Sequence, residues 1–281
     1  MKLVRSAPAK VNLCLHVLGR RGDGYHELLM LMQRISLFDR IEVELLPGGN
    51  VVVECPGVRI AQGEDNIAAQ AARRMLARAG TDGGARITID KQIPVAAGLG
   101  GGSSDAAAVL AALDDLLGLD LTEQELMAEG LRLGADVPFF LLKGASAAWA
   151  RGVGEQLEPI AEMPSLWYVL VNPGYPVSTA WVFRNLQLTS KNDVVKLPKF
   201  SGTKQDILAL LHNDLEAVTL AHFPQLRRIT ERLLECAASG VLMSGSGPTV
   251  FGVFDALDDA ERACELLGRE PGWRVFLARS V

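Results

Sequence analysis

The sequence predicts an α+β protein with two domains. Strand-like segments, in which apolar and polar residues alternate, are interspersed with helix-like segments along the chain, and no internal repeat is present. The chain has 281 residues, of which 49% are hydrophobic, enough for one large core or two ordinary ones. Because the pattern restarts after Gly154, we place the domain boundary near residue 155, between residues 1–155 and 156–281.

The first clear strand lies close to the N-terminus. Its apolar positions alternate with polar ones from Lys10 to Val17. Because successive side chains of a strand point to opposite faces, Lys10 and Asn12 share one face. Further strands in the first half are predicted at residues 34–46, 51–55 and 85–90.

Three helices in the first half are predicted from their start signals. Asn66 is a typical N-cap for a helix over residues 66–79. Ser103 opens an alanine-rich helix that reaches about residue 117. Thr122 and Glu125 form a capping-box pattern for a third helix, which ends before residue 134.

The second half repeats the mixture of strands and helices. Strands are predicted at residues 166–171, 249–254 and 274–278, and helices from Ser178, at 224–238 and at 258–267. The polar stretch from Thr189 to Thr203 is typical of a mobile loop.

Charge and cysteine content exclude several classes of protein. The net charge of -5 gives no basic excess for nucleic acid or for an anionic membrane surface. The longest apolar run, residues 106–113, is far shorter than the roughly 18 residues of a membrane span. The four cysteines form no CxxC pair, which favours reduced thiols over disulfides or a zinc site, so a cytoplasmic location is expected.

Residues 94–107, PVAAGLGGGSSDAA, have the composition of a phosphate-binding loop. Glycines let backbone N–H groups approach an anion, and the helix that follows adds the positive end of its dipole. Ser103 and Ser104 add hydroxyl groups. Gly102 replaces the lysine of a Walker A loop, and Ser103 replaces the third glycine of a dinucleotide fingerprint. A flexible hinge with a serine cap is the alternative interpretation.

A second glycine turn occupies residues 244–248 and leads into an apolar strand. This turn is suited to covering a ligand from the other domain. A tight structural turn explains the same residues equally well.

Phosphoryl transfer to a hydroxyl group requires a proton acceptor and positive charge. Asp136 lies in a turn after a helix and is the candidate acceptor, and Lys10 is the candidate cation. Tyr25 and His26, in the turn Asp-Gly-Tyr-His, are suited to stacking on a flat base and bonding to it. Ordinary solvated charges and a packing tyrosine are the alternatives. Signatures of zinc proteases, of serine hydrolases with a nucleophile elbow and of protein kinases are absent from the sequence.

Four segments, taken together, resemble the GHMP small-molecule kinases. They are APAKVNLCLHVLGRRGDGYHEL at residues 7–28, PVAAGLGGGSSDAA at 94–107, GADVPFFL at 134–141 and SGSGPTVF at 244–251. The resemblance covers nearly the whole chain. It implies a ribosomal-protein-S5-like N-terminal domain and a ferredoxin-like C-terminal domain, with the active site in the cleft between them.

Within this family, the combination of segments resembles the members of the non-mevalonate isoprenoid pathway. Their reaction would move the γ-phosphate of ATP to the tertiary C2 hydroxyl of a methylerythritol unit that carries a cytidine diphosphate. The resemblance implies Asp136 as base, Lys10 as its positively charged neighbour, and Asn12 as a ligand of the methylerythritol hydroxyls. Tyr25 and His26 would hold the cytosine, with Phe183 on the opposite side of the base, although a core phenylalanine remains an alternative for Phe183.

The resemblance also assigns the nucleotide site. The ATP-binding residues would be Pro94, Val95, Ala96, Ala97, Gly98, Leu99, Gly100, Gly101, Gly102, Ser103 and Ser104. Mg2+ is expected with ATP, and no protein ligand is assigned to it. The expected partners are the small-molecule substrate and ATP, with no nucleic acid and no membrane, and the protein is expected to be a monomer or a weak homodimer.

Three other functions are alternatives to this one. Another GHMP kinase would act on homoserine, mevalonate or a sugar, none of which has a base to stack on Tyr25. A nucleotide-binding regulator would keep the loop without needing both Lys10 and Asp136. An NAD-dependent dehydrogenase would need the missing third glycine.

Overall fold

The computed structural model describes residues 1–59, 66–187 and 200–281, and it confirms the predicted mixture of helices and strands. The strands are β1 (Lys2–Arg20), β2 (His26–Leu46), β3 (Val51–Glu54), β4 (Gly84–Asp90), β5 (Ala147–Gly152), β6 (Gln156–Ile160), β7 (Trp167–Asn172), β8 (His212–Asn213), β9 (Gly240–Met243), β10 (Val250–Phe254) and β11 (Arg274–Arg279). The helices are α1 (Ile67–Arg78), α2 (Gly101–Leu117), α3 (Glu123–Leu131), α4 (Val137–Leu141), α5 (Thr179–Asn185), α6 (Lys204–Leu210), α7 (Glu216–His222), α8 (Leu226–Glu235) and α9 (Leu257–Leu267).

The chain forms two compact units, and each unit is assembled from separate stretches of sequence. Unit 1 contains Met1–Ala9, Phe38–Val95 and Gly100–Gly144. Unit 2 contains Lys10–Leu37, Ala96–Leu99 and Ala145–Val281. The division into domains at residue 155 is a different partition, and it stays a prediction.

Unit 1 packs helices on a small sheet. The C-terminal part of β2 pairs antiparallel with β4, from Arg40 opposite Asp90 to Leu46 opposite Gly84, and β3 pairs parallel with β4. Side chains of the sheet and of α1, α2, α3 and α4 form one apolar core, which includes Ile41, Met75 and Leu113, all fully buried. This core includes side chains of α2 from Ala106 onward and so holds the helix in place.

Two predicted helix starts in unit 1 are confirmed. Oδ1 of Asn66 accepts hydrogen bonds from the N–H groups of Ala68 and Ala69 at 3.0 and 3.2 Å. Thr122 and Glu125 form the predicted capping box at α3. These side chains satisfy N–H groups that the first helical turn leaves unpaired.

Unit 2 contains a four-stranded antiparallel sheet in the order β11-β7-β10-β9. Helices α8 and α9 pack against it and form an apolar core with buried residues such as Leu233, Phe254 and Leu267. In the same unit, β5 pairs with the N-terminal part of β2 and with β6, and β8 pairs parallel with β1.

The strand that contains Lys10 differs from the prediction in length and burial. It extends over β1, Lys2–Arg20, and both of its faces are buried around Lys10, Asn12 and Cys14. Amphipathic alternation identified the strand, but neighbouring elements cover the polar face too. The hairpin of β5 and β6 was not predicted, because alanines dominate β5 and a proline lies in β6.

Helix α2 begins at Gly101, two residues before the predicted start at Ser103. The glycines had been assigned to the loop because of their low helix propensity, but unit 1 packs them into the first turn. The predicted mobile loop at 189–203 lies mostly outside the described residues, and Thr203, at its end, is the N-cap of α6. All four cysteines are free thiols, as predicted. Within the described ranges, none of the helices has the length and apolar character needed to cross a membrane.

Candidate active site

The residues predicted to form the site are divided between the two units. Unit 1 contains Pro94, Val95, Gly100, Gly101, Gly102, Ser103, Ser104 and Asp136. Unit 2 contains Lys10, Asn12, Tyr25, His26, Ala96, Ala97, Gly98, Leu99 and Phe183.

Lys10 and Asn12 lie together on β1, and they are only 4% and 0% exposed. Nζ of Lys10 donates a hydrogen bond to Oδ1 of Asn12. The backbone N–H of Lys10 donates to the carbonyl oxygen of Leu99 at 2.9 Å. The ammonium group needs an acceptor such as Oδ1 of Asn12, because its removal from water is costly. The strand therefore holds a positive charge next to the middle of the glycine loop.

Ser244, the first residue of the second glycine turn, connects β1 to the glycine loop. Its hydroxyl donates to the carbonyl oxygen of Gly98 at 2.9 Å and accepts from the N–H of Asn12 at 3.2 Å. Gly98 has φ +78°, and a Cβ on it would lie 2.0 Å from the carbonyl oxygen of Ser244. Only glycine fits this position, since an added Cβ would overlap backbone and the φ is left-handed. The two glycine turns are thus in direct contact within unit 2.

Polar side chains of unit 2 hold the second glycine turn. Nδ2 of Asn213 donates to the carbonyl oxygens of Met243 and Gly245 at 2.8 and 2.7 Å. The hydroxyl of Thr219 donates to the carbonyl oxygen of Ser246 at 3.2 Å. These bonds satisfy buried carbonyl groups at the end of β9 and in the turn, so they fix the backbone there.

The turn that carries Tyr25 is held by a carboxylate. Oδ1 of Asp23 accepts from the N–H of Tyr25 at 3.1 Å, and this hydrogen bond is the main reason that the pKa of Asp23 is lowered. The side chain of Tyr25 is 65% exposed. A tyrosine that served core packing would be covered, so the exposure favours a binding role for the ring.

His26 and Phe183 form an aromatic pair in unit 2. Their ring centroids are 4.9 Å apart and the rings are inclined by 26°, which is a stacked arrangement. Both residues are half-buried. Burial, and then the charge of Arg20, lower the pKa of His26, so its imidazole is neutral near pH 7. A neutral imidazole is both a donor and an acceptor of hydrogen bonds.

In unit 1, the start of α2 has the features of an anion site. Gly100 is the N-cap, with φ +69°, and among the described residues no side chain caps this end. The first turn contains no acidic residue. Helix α2 has 17 residues, so its dipole and its first N–H groups favour a negative ligand here. A Cβ on Gly102 would have only Ile67 Cδ1 near it, at 3.6 Å, so this glycine borders open space.

A buried charge network lies beside the start of α2. Nζ of Lys91 contacts Oδ2 of Asp39 at 2.5 Å and Oδ2 of Asp105 at 2.6 Å. Oδ1 of Asp39 also accepts from the N–H groups of Gln92 and Ile93 at 2.6 and 2.9 Å. The three charged side chains are at most 5% exposed. The network therefore fixes the segment that leads into the glycine loop to the first turns of α2.

Two carboxylates and one ammonium group give this network an excess negative charge. Burial is the largest cause that raises the pKa of Asp105, to about 7, and Asp39 adds to it against the opposing effect of Lys91. For Lys91, burial lowers the pKa, but the two carboxylates outweigh it and the net shift is upward. Asp105 thus holds a proton in part at neutral pH.

Asp136 is the N-cap residue of α4 in unit 1 and is half-buried. Its backbone is helical, with φ -81° and ψ -14°, and its carboxylate does not cap the helix. Pro138 follows in the first turn of α4 and restricts the backbone there. The prediction that Asp136 lies in a rigid turn after a helix agrees with this geometry, and its pairing with Lys10 of unit 2 stays a prediction.

Sequence reasoning missed Ser244, Asn213 and the network of Lys91, Asp39 and Asp105. The glycine turn at Ser244 was recognised, but its bond to Asn12 joins residues 232 positions apart and leaves no local pattern. A lysine at 91 and an aspartate at 39 resemble ordinary surface charges in the sequence. The aspartate inside the alanine-rich run of α2 was the one available signal, since a charge on a buried helix needs a partner.

Family models and relatives identify the kind of protein that this chain resembles. The model described as "GHMP kinases N terminal domain" matches residues 66–144, and "GHMP kinases C terminal" matches residues 197–271. A 4-diphosphocytidyl-2-C-methyl-D-erythritol kinase of Syntrophotalea carbinolica is 56% identical over 275 residues, which cover 98% of both chains.

Solved structures give the same result. A crystal structure of 4-(cytidine 5'-diphospho)-2C-methyl-D-erythritol kinase matches with a TM-score of 0.81 and 40% identity, over 99% of this chain and 98% of that chain. A mevalonate kinase matches with a TM-score of 0.73 but only 16% identity, over 99% of both chains, so it shares the fold. Together, these matches confirm the predicted two-domain fold of the GHMP kinases.

Gly98 and Gly102 are predicted to respond differently to the same substitution. Gly98→Ala should lower the free energy of unfolding by about 2 kcal/mol or more, because Cβ overlaps the carbonyl of Ser244 and φ is left-handed. Gly102→Ala, the matched control, should change stability by less than about 1 kcal/mol, since its helical backbone accepts alanine. Urea denaturation of both variants measures the difference; equal losses would contradict the contact between the two glycine turns.

Asp105→Asn is predicted to change how stability depends on pH. The folded state keeps the Asp105 proton up to a pKa of about 7, while the unfolded chain loses it near pH 4. Since the folded state then binds more protons, the wild type should lose stability relative to Asp105→Asn as the pH rises from 4 to 7.

Urea denaturation at pH 4.5, 6 and 8 measures this difference. Asp120→Asn, at an exposed position just beyond the same helix, is the control for the loss of a surface carboxylate. Parallel curves for the wild type and Asp105→Asn would mean that the buried carboxyl group is ionised throughout.

Proposed function

Because the chain belongs to the 4-diphosphocytidyl-2-C-methyl-D-erythritol kinases of the GHMP family, we propose that it uses ATP to phosphorylate the alcohol 4-diphosphocytidyl-2-C-methyl-D-erythritol. The γ-phosphate is transferred to the 2-hydroxyl group, giving the 2-phosphate and ADP, a step of the methylerythritol phosphate route to isopentenyl diphosphate. The observation that carries the proposal is the whole-chain identity of 56% to one such kinase and 40% to another of known structure.

The glycine loop and α2 are proposed to hold the triphosphate of ATP. The uncapped start of α2, without a carboxylate in its first turn, supports this role. Gly98 and Gly100 each have the left-handed backbone that is common in anion-binding loops. Ser103 and Ser104 add hydroxyl groups, and Oγ of Ser104 is buried without a hydrogen-bond partner among the described residues. The remaining residues from Pro94 to Gly102 would line the phosphates with their backbone.

Mg2+ is proposed to enter with ATP. A hard cation of this size is usually held by phosphate oxygens and waters with one or two protein oxygens. The serine hydroxyls at the start of α2 fit this role, whereas the first turn has no acidic residue. When bound, the ion would neutralise charge on the β- and γ-phosphates.

Asp136 is proposed to accept the proton of the 2-hydroxyl group. As this oxygen bonds to the γ-phosphorus, the bond from phosphorus to the β–γ bridging oxygen breaks and ADP leaves. The tertiary alcohol is crowded and weakly acidic, so a carboxylate that removes its proton assists the attack. The rigid backbone position of Asp136 at the start of α4 supports this assignment.

Lys10 is proposed to orient Asp136 and to stabilise charge on the phosphoryl group in transit. Its buried ammonium group and the bond from its N–H to the loop carbonyl of Leu99 support the role, because a fixed charge acts strongly away from water. Asn12, which accepts from Lys10, would bind the methylerythritol hydroxyl groups with the rest of its amide.

Tyr25, His26 and Phe183 are proposed to bind the cytosine. The exposed ring of Tyr25 offers a face for stacking, and the neutral imidazole of His26 is suited to hydrogen bonds with the base. The stack of Phe183 on His26 supports its place near the base. The cytoplasmic location and a monomeric or weakly dimeric state remain expectations.

The substrate is tested by measuring ADP release with MgATP and one alcohol at a time. Diphosphocytidyl methylerythritol, homoserine, mevalonate and galactose should be compared, and only the cytidine compound is expected to react. Reaction with another alcohol alone would keep the kinase fold and remove the base-binding role of Tyr25. ATP binding without turnover on any alcohol would favour a nucleotide-binding regulator.

Asp136→Asn is predicted to keep ATP binding and to lower kcat by about 10²- to 10⁴-fold, the usual effect of a general base. Calorimetric titration of ATP and the steady-state rate measure the two properties. Asp82→Asn, at an exposed loop position of unit 1, is the control and should keep full activity. Normal turnover by Asp136→Asn would remove the assignment of the base.

Tyr25→Ala is predicted to raise the KM for the cytidine substrate by about 5- to 100-fold, as expected for one lost stacking contact. The KM for ATP should change little. Tyr25→Phe keeps the ring and should keep the KM for the substrate near the wild-type value. Unchanged constants in Tyr25→Ala would show that the ring does not touch the base.

A further inference from the structure

Unit 2 contains a cluster of metal-binding side chains that the proposed kinase reaction does not use. It consists of His16, His212 and Asp214, whose nitrogen and oxygen donor atoms all lie within 4.8 Å of one another. His16 is on β1, six residues beyond Lys10, and the other two residues flank Asn213.

The pairing of β1 with β8 brings the three side chains together. The strands run parallel, with Cys14 opposite His212 and Leu15 opposite Asn213. The N–H of Asp214 donates to the carbonyl oxygen of Leu15 at 3.0 Å and continues this register. Because side chains two positions apart share a face of a strand, His212 and Asp214 both lie on the face of His16.

Contacts within the cluster show two imidazoles beside one carboxylate. Nε2 of His212 lies 2.6 Å from Oδ1 of Asp214, and Nδ1 of His16 lies 3.9 Å from Oδ2. The two imidazole rings are stacked, with centroids 4.4 Å apart. A hydrogen bond explains why His212 lies against Asp214. It does not explain why the imidazole of His16 lies near the same carboxylate.

We propose that His16, His212 and Asp214 bind a divalent transition-metal ion of the zinc class. Imidazole nitrogens with a carboxylate oxygen are typical ligands of Zn2+ and its neighbours in the first transition series. Mg2+ and Ca2+ prefer sites made only of oxygen atoms, so they are not expected to bind here.

The donor atoms are spaced close to the distances of a zinc site. Ligand atoms at about 2.0–2.1 Å from a tetrahedral zinc ion are roughly 3.3 Å apart. The present distances of 2.6 and 3.9 Å lie on either side of this value. The side chain of His212 is 49% exposed, so the cluster is open to an ion from solvent.

Asp214 is already oriented by a second hydrogen bond. Its Oδ2 accepts from the N–H of Val17 at 2.7 Å. Outer hydrogen bonds of this kind orient a ligand and strengthen metal sites.

A bound ion would act on the second glycine turn through Asn213. This residue lies between two of the proposed ligands and donates to the carbonyl oxygens of Met243 and Gly245. Joining β8 to β1 through a metal would therefore restrict the segment that holds the turn.

The proposal is tested with the full-length chain after removal of metals by a chelator. Binding of Zn2+ is measured by equilibrium dialysis with metal analysis, and the melting temperature is measured with Zn2+ and with Mg2+. We expect one Zn2+ per chain and a rise in melting temperature with Zn2+ only. His212→Ala and Asp214→Asn should each weaken Zn2+ binding by about tenfold or more, since losing even an outer partner of a ligand costs about 10- to 100-fold.

His222→Ala is the matched control, because its exposed ring packs on Trp181 outside the cluster, and this variant should bind Zn2+ like the wild type. Asp214→Asn retains an oxygen for the N–H of Val17, and circular dichroism confirms folding of each variant. Absence of Zn2+ binding by the wild type overturns the proposal. Equal binding by all variants also overturns it, since the ion would then be held elsewhere, for instance by the free cysteines.

Discussion

The hydroxyl group of Ser244 carries the interaction on which the candidate site of unit 2 depends. It donates to the carbonyl oxygen of Gly98 in the glycine loop and accepts from the N–H of Asn12 on β1. Three segments that are far apart in the sequence are thereby fixed to one another: the strand with the catalytic lysine candidate, the loop, and the second glycine turn. The contact is so close that Gly98 tolerates no side chain. A glycine that suggests flexibility in the sequence is therefore a point of rigid packing.

In unit 1, buried charged side chains hold the start of α2. Among the described residues, no side chain caps the start of α2. The ion pairs of Lys91 with Asp39 and with Asp105, which lies on α2, hold the helix instead. Burying these charges costs desolvation energy, so the network adds little to the free energy of unfolding. Removing one partner leaves a buried charge without compensation, so the network favours one geometry. This arrangement is consistent with a site that binds a highly charged ligand.

The sequence was sufficient for features that depend on local chemistry. The cap at Asn66 and the capping box at Thr122 follow from residue types at short spacing. The family resemblance supplied the function. The sequence was insufficient for features that arise only when distant segments meet. Examples are the hydrogen bond between Asn12 and Ser244 and the burial of the polar face of β1. The early start of α2 was missed because propensity penalises glycine, whereas packing against Ile93 and Lys91 requires it at Gly101.

The interleaved composition of the two units has a consequence for the gene. Residues 96–99 belong to unit 2, although the residues on both sides of them belong to unit 1. Residues 10–37 also belong to unit 2 and also lie between two stretches of unit 1. Neither unit is encoded by one contiguous stretch of codons. An expressed fragment that stops at residue 155 would contain Gly98 and Asn12 but would lack Ser244, the residue that joins them. Recombination that exchanged one half of this gene for that of a distant relative would thus separate the loop from its support, which favours inheritance of the two halves together.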